Sequence, residues 1–395
     1  MIDVAIVGGG VAGATTAMVL ARHGLSTVVI ERSSYDHLRI GETLPPTIRE
    51  PLTELGVWER FVSGGHEPSY GTSAAWGSSA LHANDFIFHP HGHGWHVNRA
   101  QFDRMLAAAA RDAGVVVRER TRLISHRRVG AGWELEVGRP EQPERLLARF
   151  LVDASGRASS VARANGATRL RYDRLVGIAR IHTVNCDSTE QDSFTLVEAV
   201  KGGWWYSAFL PGGQLMTVFL TDSDLRPQQL EMHDAQYTVA RLACCASGSP
   251  TFVFSANSAR LNHPIGSGWL AVGDAACALD PLSSQGILNG IRFGMAAGRA
   301  VAEHGAGDAT ALDRYAEQLR QSFEQYLGLR QRYYGLERRW PEDAFWSRRH
   351  QAGLSPLPGT AASAAAKPIL ECVPSQNGLF VDPPHRHSAN GRLGI

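Results

Sequence analysis

The first 31 residues constrain the chain more than any other segment. Ile2–Val7 is a short apolar run rich in β-branched residues, the pattern of a strand buried on both faces. It breaks into Gly8-Gly9-Gly10-Val11-Ala12-Gly13. A helical pattern follows over Ala14–His23, with Gly24 placed to end it. Thr27–Ile30 is a second strand pattern ending at Glu31. The order is strand, G-x-G-x-x-G, helix, strand, acid, and each part has a mechanical duty. Gly8 permits the tight turn, Gly10 lets a pyrophosphate approach the backbone, and Gly13 lets helix and strand pack closely. The helix N-terminus offers N–H groups and the positive end of its dipole to phosphate. Glu31 falls about 20 residues past the glycines, where an acid can hold a ribose hydroxyl. The unit predicts a dinucleotide site without separating NAD from FAD.

Two later segments bear on that choice. Phe150-Leu-Val-Asp153-Ala-Ser155-Gly156-Arg157 is a strand pattern ending in Asp-Ala-Ser-Gly. Trp269-Leu-Ala-Val-Gly273-Asp274 is another, ending in Gly-Asp, with Asp280-Pro281 and Gln285-Gly286 beyond. Gly273 allows the chain to pass close to a cofactor, and Asp274 can accept hydrogen bonds from ribityl hydroxyls. A helix starting near Gln285 points its positive end past Pro281.

Taken in this order, the three motifs resemble the flavoprotein hydroxylase superfamily typified by para-hydroxybenzoate hydroxylase, over residues 1–345. The resemblance implies an α/β (α+β) fold: a Rossmann-type FAD-binding domain with an inserted antiparallel β-sheet substrate domain. It implies FAD as cofactor, with its N1–C2=O edge at the Gln285 helix start, where the dipole steadies the negative charge of reduced flavin. It also implies that Arg99, which opens a helix, meets the FAD phosphates; a solvated helix-start arginine is the plain alternative. Further cofactor contacts are expected at Ala12, Arg32, Glu42, Thr43, Leu123, Asp153, Pro281, Gly286 and Ile287.

Several segments narrow the branch. Gly41-Glu42-Thr43-Leu44-Pro45-Pro46, Gly202-Gly-Trp204-Trp205-Tyr206 and Glu337-Arg-Arg-Trp340-Pro341 are similar to the tryptophan-halogenase-like flavoproteins, and within them to LodB/GoxB-type maturases. A halogenase of this kind needs a lysine between the G-E-[ST] segment and the position of Arg99, to carry hypohalous acid. Here the only lysines are Lys201 and Lys367. The W-x-W-x-I-P signature is absent as well. The resemblance therefore implies a monooxygenase that hydroxylates an electron-rich aromatic ring through a flavin C4a-hydroperoxide. The expected substrate is an indole or tryptophan, free or within a peptide or protein. O2 and an electron donor, either NAD(P)H or a partner flavin reductase, complete the reaction. The rivals are a halogenase with a displaced lysine, a geranylgeranyl-reductase-like oxidoreductase, and a flavin-bound chaperone for a partner subunit. The mechanism requires no protein nucleophile, and the catalytic residues stay unassigned.

Substrate contacts are expected at Trp95, His96, Trp204, Tyr206 and Ser284. Trp204 and Tyr206 share one face of a strand, either as packed core or as a stacking wall for an aromatic ring. Ser283 and Ser284 either cap the helix or reach substrate. His89, His91 and His93 have metal-like spacing, but the intervening glycines favour a loop, and no metal is expected.

Organisation follows the motifs. Residues 1–67, 97–170 and 257–350 are expected to form the FAD-binding part. Residues 68–96 and 171–256 are expected to form the substrate part, with strands at Ala74–Trp76, Phe86–Phe88, Ile178–Val184, Phe194–Val200, Trp204–Leu210 and Leu215–Leu220. Residues 308–346 have helical spacing, and 351–395 are expected to be a linker and tail. A net charge of +1 gives no field to steer nucleic acid. No stretch approaches the roughly 20 apolar residues of a membrane span. The apolar N-terminus lacks a basic flank and suits a first strand better than a signal peptide. Five cysteines without a CxxC pair suit a reducing cytoplasm.

Overall fold

The apolar runs Ile2–Val7 and Thr27–Ile30 are parallel neighbours at the centre of an eight-stranded sheet in the computed structural model. The structure describes residues 1–36, 39–139, 141–185, 193–229, 232, 234–246, 248–351, 353 and 355–357. The linker and tail read from the sequence lie almost wholly outside them. Gln142–Asp153 pairs parallel to Ile2–Val7 on one side and to Trp269–Ala271 on the other. Val116–Arg118 closes the opposite edge beside Thr27–Ile30. Gln142–Asp153 changes character along its length. Its first four residues are exposed and the next four alternate buried and exposed, where it pairs in an antiparallel hairpin with Gly132–Arg139. Its last four residues are buried without a break, because helices cover both faces there.

The Val11–Arg22 helix returns the chain from the first strand to the second. The Gly286–Gly305 helix lies directly against it. Glycines at 290, 294 and 298 fall four residues apart and make one face of that helix nearly flat. A Cβ on Gly294 would stand 2.8 Å from the Thr15 Cβ and 2.9 Å from the Ala12 carbonyl oxygen. The Thr16 hydroxyl donates to the Gly294 carbonyl at 3.1 Å. Dispersion and this bond hold the pair at backbone contact.

The other large sheet has seven strands, in the order Phe252–Ser255, Leu175–Thr183, Gln214–Asp222, Gly203–Leu210, Phe194–Val200, Gly71–Ala75 and His82–Asp85. Five of the six expected strands are present within a few residues of their expected ends. One expected strand fails, and the antiparallel sheet carries one parallel pair. The sheet is not wholly antiparallel, because Phe194–Val200 and Gly71–Ala75 run parallel. Phe86–Phe88 is not a strand: the Asp85 carboxylate accepts from the Ile87 N–H at 2.8 Å and turns the chain outward. The expected helical stretch is two helices, Ala311–Leu336 and Ala344–Gln351, separated around Pro341. A small sheet of Thr43–Leu44, Gly94–His96 and Glu67–Ser69 sits apart from both large sheets. Among the described residues no helix is long and apolar enough to cross a membrane.

The glycine face yields a stability prediction. Gly294→Ala is expected to destabilise the fold by about 1–3 kcal/mol through overpacking. Gly328→Ala, in the Ala311–Leu336 helix with nothing within 4 Å of its added carbon, is expected to stabilise by about 0.5–1 kcal/mol. Denaturant midpoints of the two variants against the parent measure both.

Candidate cofactor and active site

The glycine loop meets the ends of three strands. Gly8 has φ +108°, and a Cβ there would lie 2.1 Å from the Ala154 carbonyl oxygen. A Cβ on Gly13 would lie 2.0 Å from the Gly8 carbonyl oxygen. Gly273, at φ +61°, approaches Ala12, with 2.7 Å between its added carbon and the Ala12 Cβ. Gly10 differs, since a Cβ there would meet only the Arg39 guanidinium, at 3.6 Å. The space over Gly10 is thus open and faces a cation. The Val11–Arg22 helix behind it starts with no side-chain cap and no acid in its first turn. The Gly286–Gly305 helix start is likewise uncapped, so each offers N–H groups to an anion or a polar edge.

Arg39 had no counterpart in the sequence reading. Its guanidinium bonds the Asp103 carboxylate at 2.6 Å and the Ser33 hydroxyl at 2.9 Å. Asp103 is fully buried and also meets Arg99 at 3.3 Å, so one carboxylate holds two arginines in place. Arg99 donates to the Ile40 carbonyl at 2.5 Å, while its Nε is buried without a hydrogen-bond partner. Asn98 caps the Arg99–Asp112 helix by accepting from the Gln101 N–H. No spacing rule reaches Arg39. Only the return of the chain across Gly10 brings it there.

The expected cofactor residues divide into two groups. Glu31 is buried, accepting from the Gly9 N–H at 2.7 Å and from Ser33 at 2.5 and 2.8 Å. It braces the glycine loop as well as closing the second strand. Asp153 is fully buried, and its carboxylate is taken up by Ser155 and by the Ala162 N–H at 2.8 Å. Its carboxylate ties together the turn that carries Ala154 against Gly8. The Asp274 carboxylate is 42% exposed and meets Arg157 at 3.4 Å, so it is open to a hydroxyl-rich ligand. Arg32 is exposed beside Glu31, and Ala12 is partly buried in the loop helix. Leu123 is partly buried on the Arg122–Val129 strand, opposite Val137. Pro281 is partly buried, Gly286 opens its helix, and Ile287 reaches to within 3.6 Å of an added carbon at Gly41.

Four residues expected to serve cofactor or substrate separately come together. Tyr206 shares a 2.8 Å hydrogen bond with the Thr43 hydroxyl and donates to the Glu42 carboxyl at 3.4 Å. Thr43 meets Thr195 at 3.1 Å, and Thr195 meets the buried His96 ring at 3.2 Å. Burial pushes the Glu42 carboxyl above the ordinary carboxylate range, and burial beside Glu42 raises the Tyr206 hydroxyl well above its own.

Trp204 is not part of this cluster. It is 1% exposed. Its ring packs edge-on against Trp76, and its N–H donates to the Tyr334 hydroxyl at 3.1 Å. The stacking-wall expectation is corrected to core for Trp204. Tyr334 in turn donates to Asp280 at 2.8 Å, and Asp280 accepts from the Leu282 N–H at 2.9 Å. The packed wall thus braces the Pro281–Ser283 turn. Ser284 follows at φ +49°, a strained conformation for a residue with a side chain, and leads the chain into the Gly286–Gly305 helix. Trp95 is partly buried, edge-on to Phe61 at 5.2 Å and to His93 at 4.5 Å. The loop histidines have separate partners, His91 with Glu50 and His93 with the Gly94 carbonyl. Among the described residues no group of ligands is placed to hold a metal.

The open space over Gly10, the orphaned Arg99 Nε and the two uncapped helix starts fit the diphosphate and isoalloxazine edge of FAD. Comparison with known proteins agrees. A family model described as FAD binding domain matches residues 1–328. LodB of Marinomonas mediterranea, a protein assigned as an FAD-dependent oxidoreductase, is 30% identical over 362 residues, covering 88% of this chain and 96% of that one. The flavin-dependent halogenase CmlS shares the fold with a TM-score of 0.76 at 24% identity, over 88% of this chain and 67% of its own. A peptidyl tryptophan dihydroxylase, QhpG, essential for tryptophylquinone cofactor biogenesis, has a TM-score of 0.70 at 24% identity, over 88% and 78%.

The loop geometry predicts that two glycines fail differently. Gly10→Val is expected to leave folding intact and to empty the cofactor site, because its side chain fills open space. Gly13→Val is expected to prevent folding, because its first carbon meets backbone at 2.0 Å. Circular dichroism melts and flavin released per chain distinguish the two. A Gly10→Val protein that purifies with full flavin contradicts the assignment.

Proposed function

This chain belongs to the FAD-binding-domain family and is an FAD-dependent oxidoreductase, and from that premise we propose that it hydroxylates an electron-rich aromatic ring. The substrate is an indole or tryptophan, carried free or within a peptide or protein. O2 is the oxidant, and a nicotinamide or a partner flavin reductase supplies electrons. FAD, when bound, contributes the two-electron chemistry with O2. The protein's part is to bind, orient and keep water out.

The observation that carries the reading is a missing cation. Relatives of this chain include halogenases, which require a lysine before the position of Arg99. Residues 43–98 contain none. Lys201 is exposed in the turn between Phe194–Val200 and Gly203–Leu210. It is five residues from Tyr206, about 16 Å at about 3.3 Å per strand residue. Lys367 lies outside the described residues. Likeness to the peptidyl tryptophan dihydroxylase supports a macromolecular tryptophan.

The described residues divide the work. Arg39 and Arg99, pinned by Asp103, would hold the diphosphate at the Gly10 gap. Asp274 would accept from ribityl hydroxyls. The uncapped Gly286–Gly305 helix start would offer its N–H groups to the flavin. Residues 68–96 and 171–256 form the substrate side, where Tyr206 and His96 supply polar contacts, joined by Glu42 and Thr43 from residues 1–67. Trp76, Trp204, Tyr334 and Trp346 form a dry wall behind them.

Supplied with reduced flavin, O2, chloride and bromide together, the enzyme is expected to give product heavier by oxygen and never by halogen. Labelled oxygen in the product is expected to come from O2 and not from water. A chlorinated or brominated product moves the chain to the halogenases. Turnover that proceeds equally well without oxygen moves it to the reductases.

A further inference from the structure

Glu42 occupies an environment that suits an ionised carboxylate poorly. It is 2% exposed. Its Oε1 has no hydrogen-bond partner; the carboxyl has the long contact from Tyr206 at Oε2 and the Gly41 and Glu42 backbone N–H groups, which together offset burial only in part. An unpaired carboxylate in such a place costs several kcal/mol. The nearby cation, Arg99, is already committed to Asp103 and the Ile40 carbonyl. The neutral acid avoids the cost, and burial favours it.

A purely structural role does not account for this arrangement. A leucine at position 42 could fill nearly the same volume without a buried orphan oxygen. What the acid adds is a transferable proton at one end of an unbroken hydrogen-bonded chain. From Glu42 the chain passes to Tyr206 at 3.4 Å, to Thr43 at 2.8 Å, to Thr195 at 3.1 Å and to His96 at 3.2 Å. Its three interior members are hydroxyls, each able to donate and accept, so the chain can reverse its direction. It also crosses between layers, since Thr43 and His96 pair in the small sheet while Thr195 and Tyr206 belong to the seven-stranded one. Glu42 itself follows Gly41, beside Arg99 and Ile287.

We propose that Glu42, Tyr206, Thr43, Thr195 and His96 form a proton relay in which Glu42 rests as a neutral acid and delivers its proton to the reacting centre, a proposal that rests on the hydroxylase reading above. Ring hydroxylation consumes O2, a hydride equivalent from the nicotinamide or flavin donor, and one proton. It yields the hydroxylated ring and water. The Glu42 O–H bond breaks and its proton goes to the O2-derived oxygen that leaves as water, the electron pair staying on the carboxylate. Tyr206 reprotonates Glu42, each hydroxyl takes a proton from the next, and His96 gives one up from Nε2 while its other ring nitrogen takes one up, so the deficit leaves the chain at His96. The proton released from the ring carbon as aromaticity returns makes it good. Glu42 thus ends as it began.

The charged and titratable groups facing this chain are Arg99 from the Arg99–Asp112 helix, Tyr206 from the seven-stranded sheet and His96 from the small sheet. Glu67 stands opposite His96, and Arg241 acts on Tyr206. An acid whose folded pKa is raised binds more protons folded than unfolded. The stability it contributes is present in full below the unfolded value of 4.5 and is lost as pH rises through the raised one. Glu42→Gln, permanently neutral, lacks that loss.

The test compares FAD-loaded full-length wild type with Glu42→Gln, Thr195→Val and Thr195→Ser. Infrared spectra at neutral pH are expected to show a protonated carboxylic acid band in the wild type that is missing from Glu42→Gln. Unfolding midpoints of those two proteins are expected to coincide in acid, with Glu42→Gln higher at neutral pH. With a tryptophan-containing peptide, O2 and a flavin reductase, product formation is expected to fall about 10²-fold in Glu42→Gln and Thr195→Val. The pH profile of Thr195→Val should shift, and Thr195→Ser should restore both rate and profile. A wild type without the acid band overturns the proposal, as does a Thr195→Val with unchanged rate and profile. A wild type that holds FAD and shows the band, yet oxygenates no peptide, overturns the hydroxylase reading and the relay's task, while the neutral state of Glu42 stands.

Discussion

The rest of the structure depends on one close approach, that of Gly13 to the Gly8 carbonyl, where an added carbon would stand at 2.0 Å. It lets the Val11–Arg22 helix start directly on the end of the first strand. Gly8 is held almost as closely by the Ala154 backbone, and Gly273 less closely by the Ala12 Cβ, at 2.7 Å. Three strand ends therefore converge on one loop with no side chain between them. The glycine face of the Gly286–Gly305 helix extends this contact along the full first helix. Such packing has no slack, and the open space over Gly10 is defined by the tightness around it.

The second requirement is to hold two layers in register across the site. Here the chain uses polar bonds. Tyr206 reaches from the seven-stranded sheet to Thr43 and Glu42, while Tyr334 ties Trp204 to Asp280 and so to the turn before the Gly286–Gly305 helix. Asp280 is buried beside Arg330, and burial raises its carboxyl despite that cation. Removing one partner from a buried set of this kind leaves a charge or hydroxyl uncompensated, so the set makes the positions of the two layers interdependent.

The cofactor machinery and the chemistry have separate determinants. The loop, the paired arginines and the helix starts suit any enzyme that uses FAD, and the same fold serves halogenases and a tryptophan dihydroxylase. In the proposed hydroxylase the substrate side carries hydroxyls, an imidazole and a buried acid, and among the described residues the one lysine, Lys201, is exposed in a turn.

The strand, glycine loop, helix and acid were legible in the sequence because their signals are local. Spacing within about 30 residues dictates which glycine turns, which packs and which stays open. The Gly273-Asp274 turn was legible for the same reason. Depth within the fold was not. Strand alternation places Trp204 and Tyr206 on one face, and only the tertiary structure decides that Trp76, Tyr334 and Trp346 cover the first while the second reaches Thr43. Asp153 looked like a ligand residue because it ends a strand at the site, yet its own turn takes up both oxygens. Arg39 reaches Gly10, and Phe194–Val200 lies parallel to Gly71–Ala75, through contacts between residues far apart in the chain. A sequence specifies periodicity and local geometry directly. Which side chains are buried, and which polar groups find each other, depends on how separate segments pack, and that was decided by the fold alone.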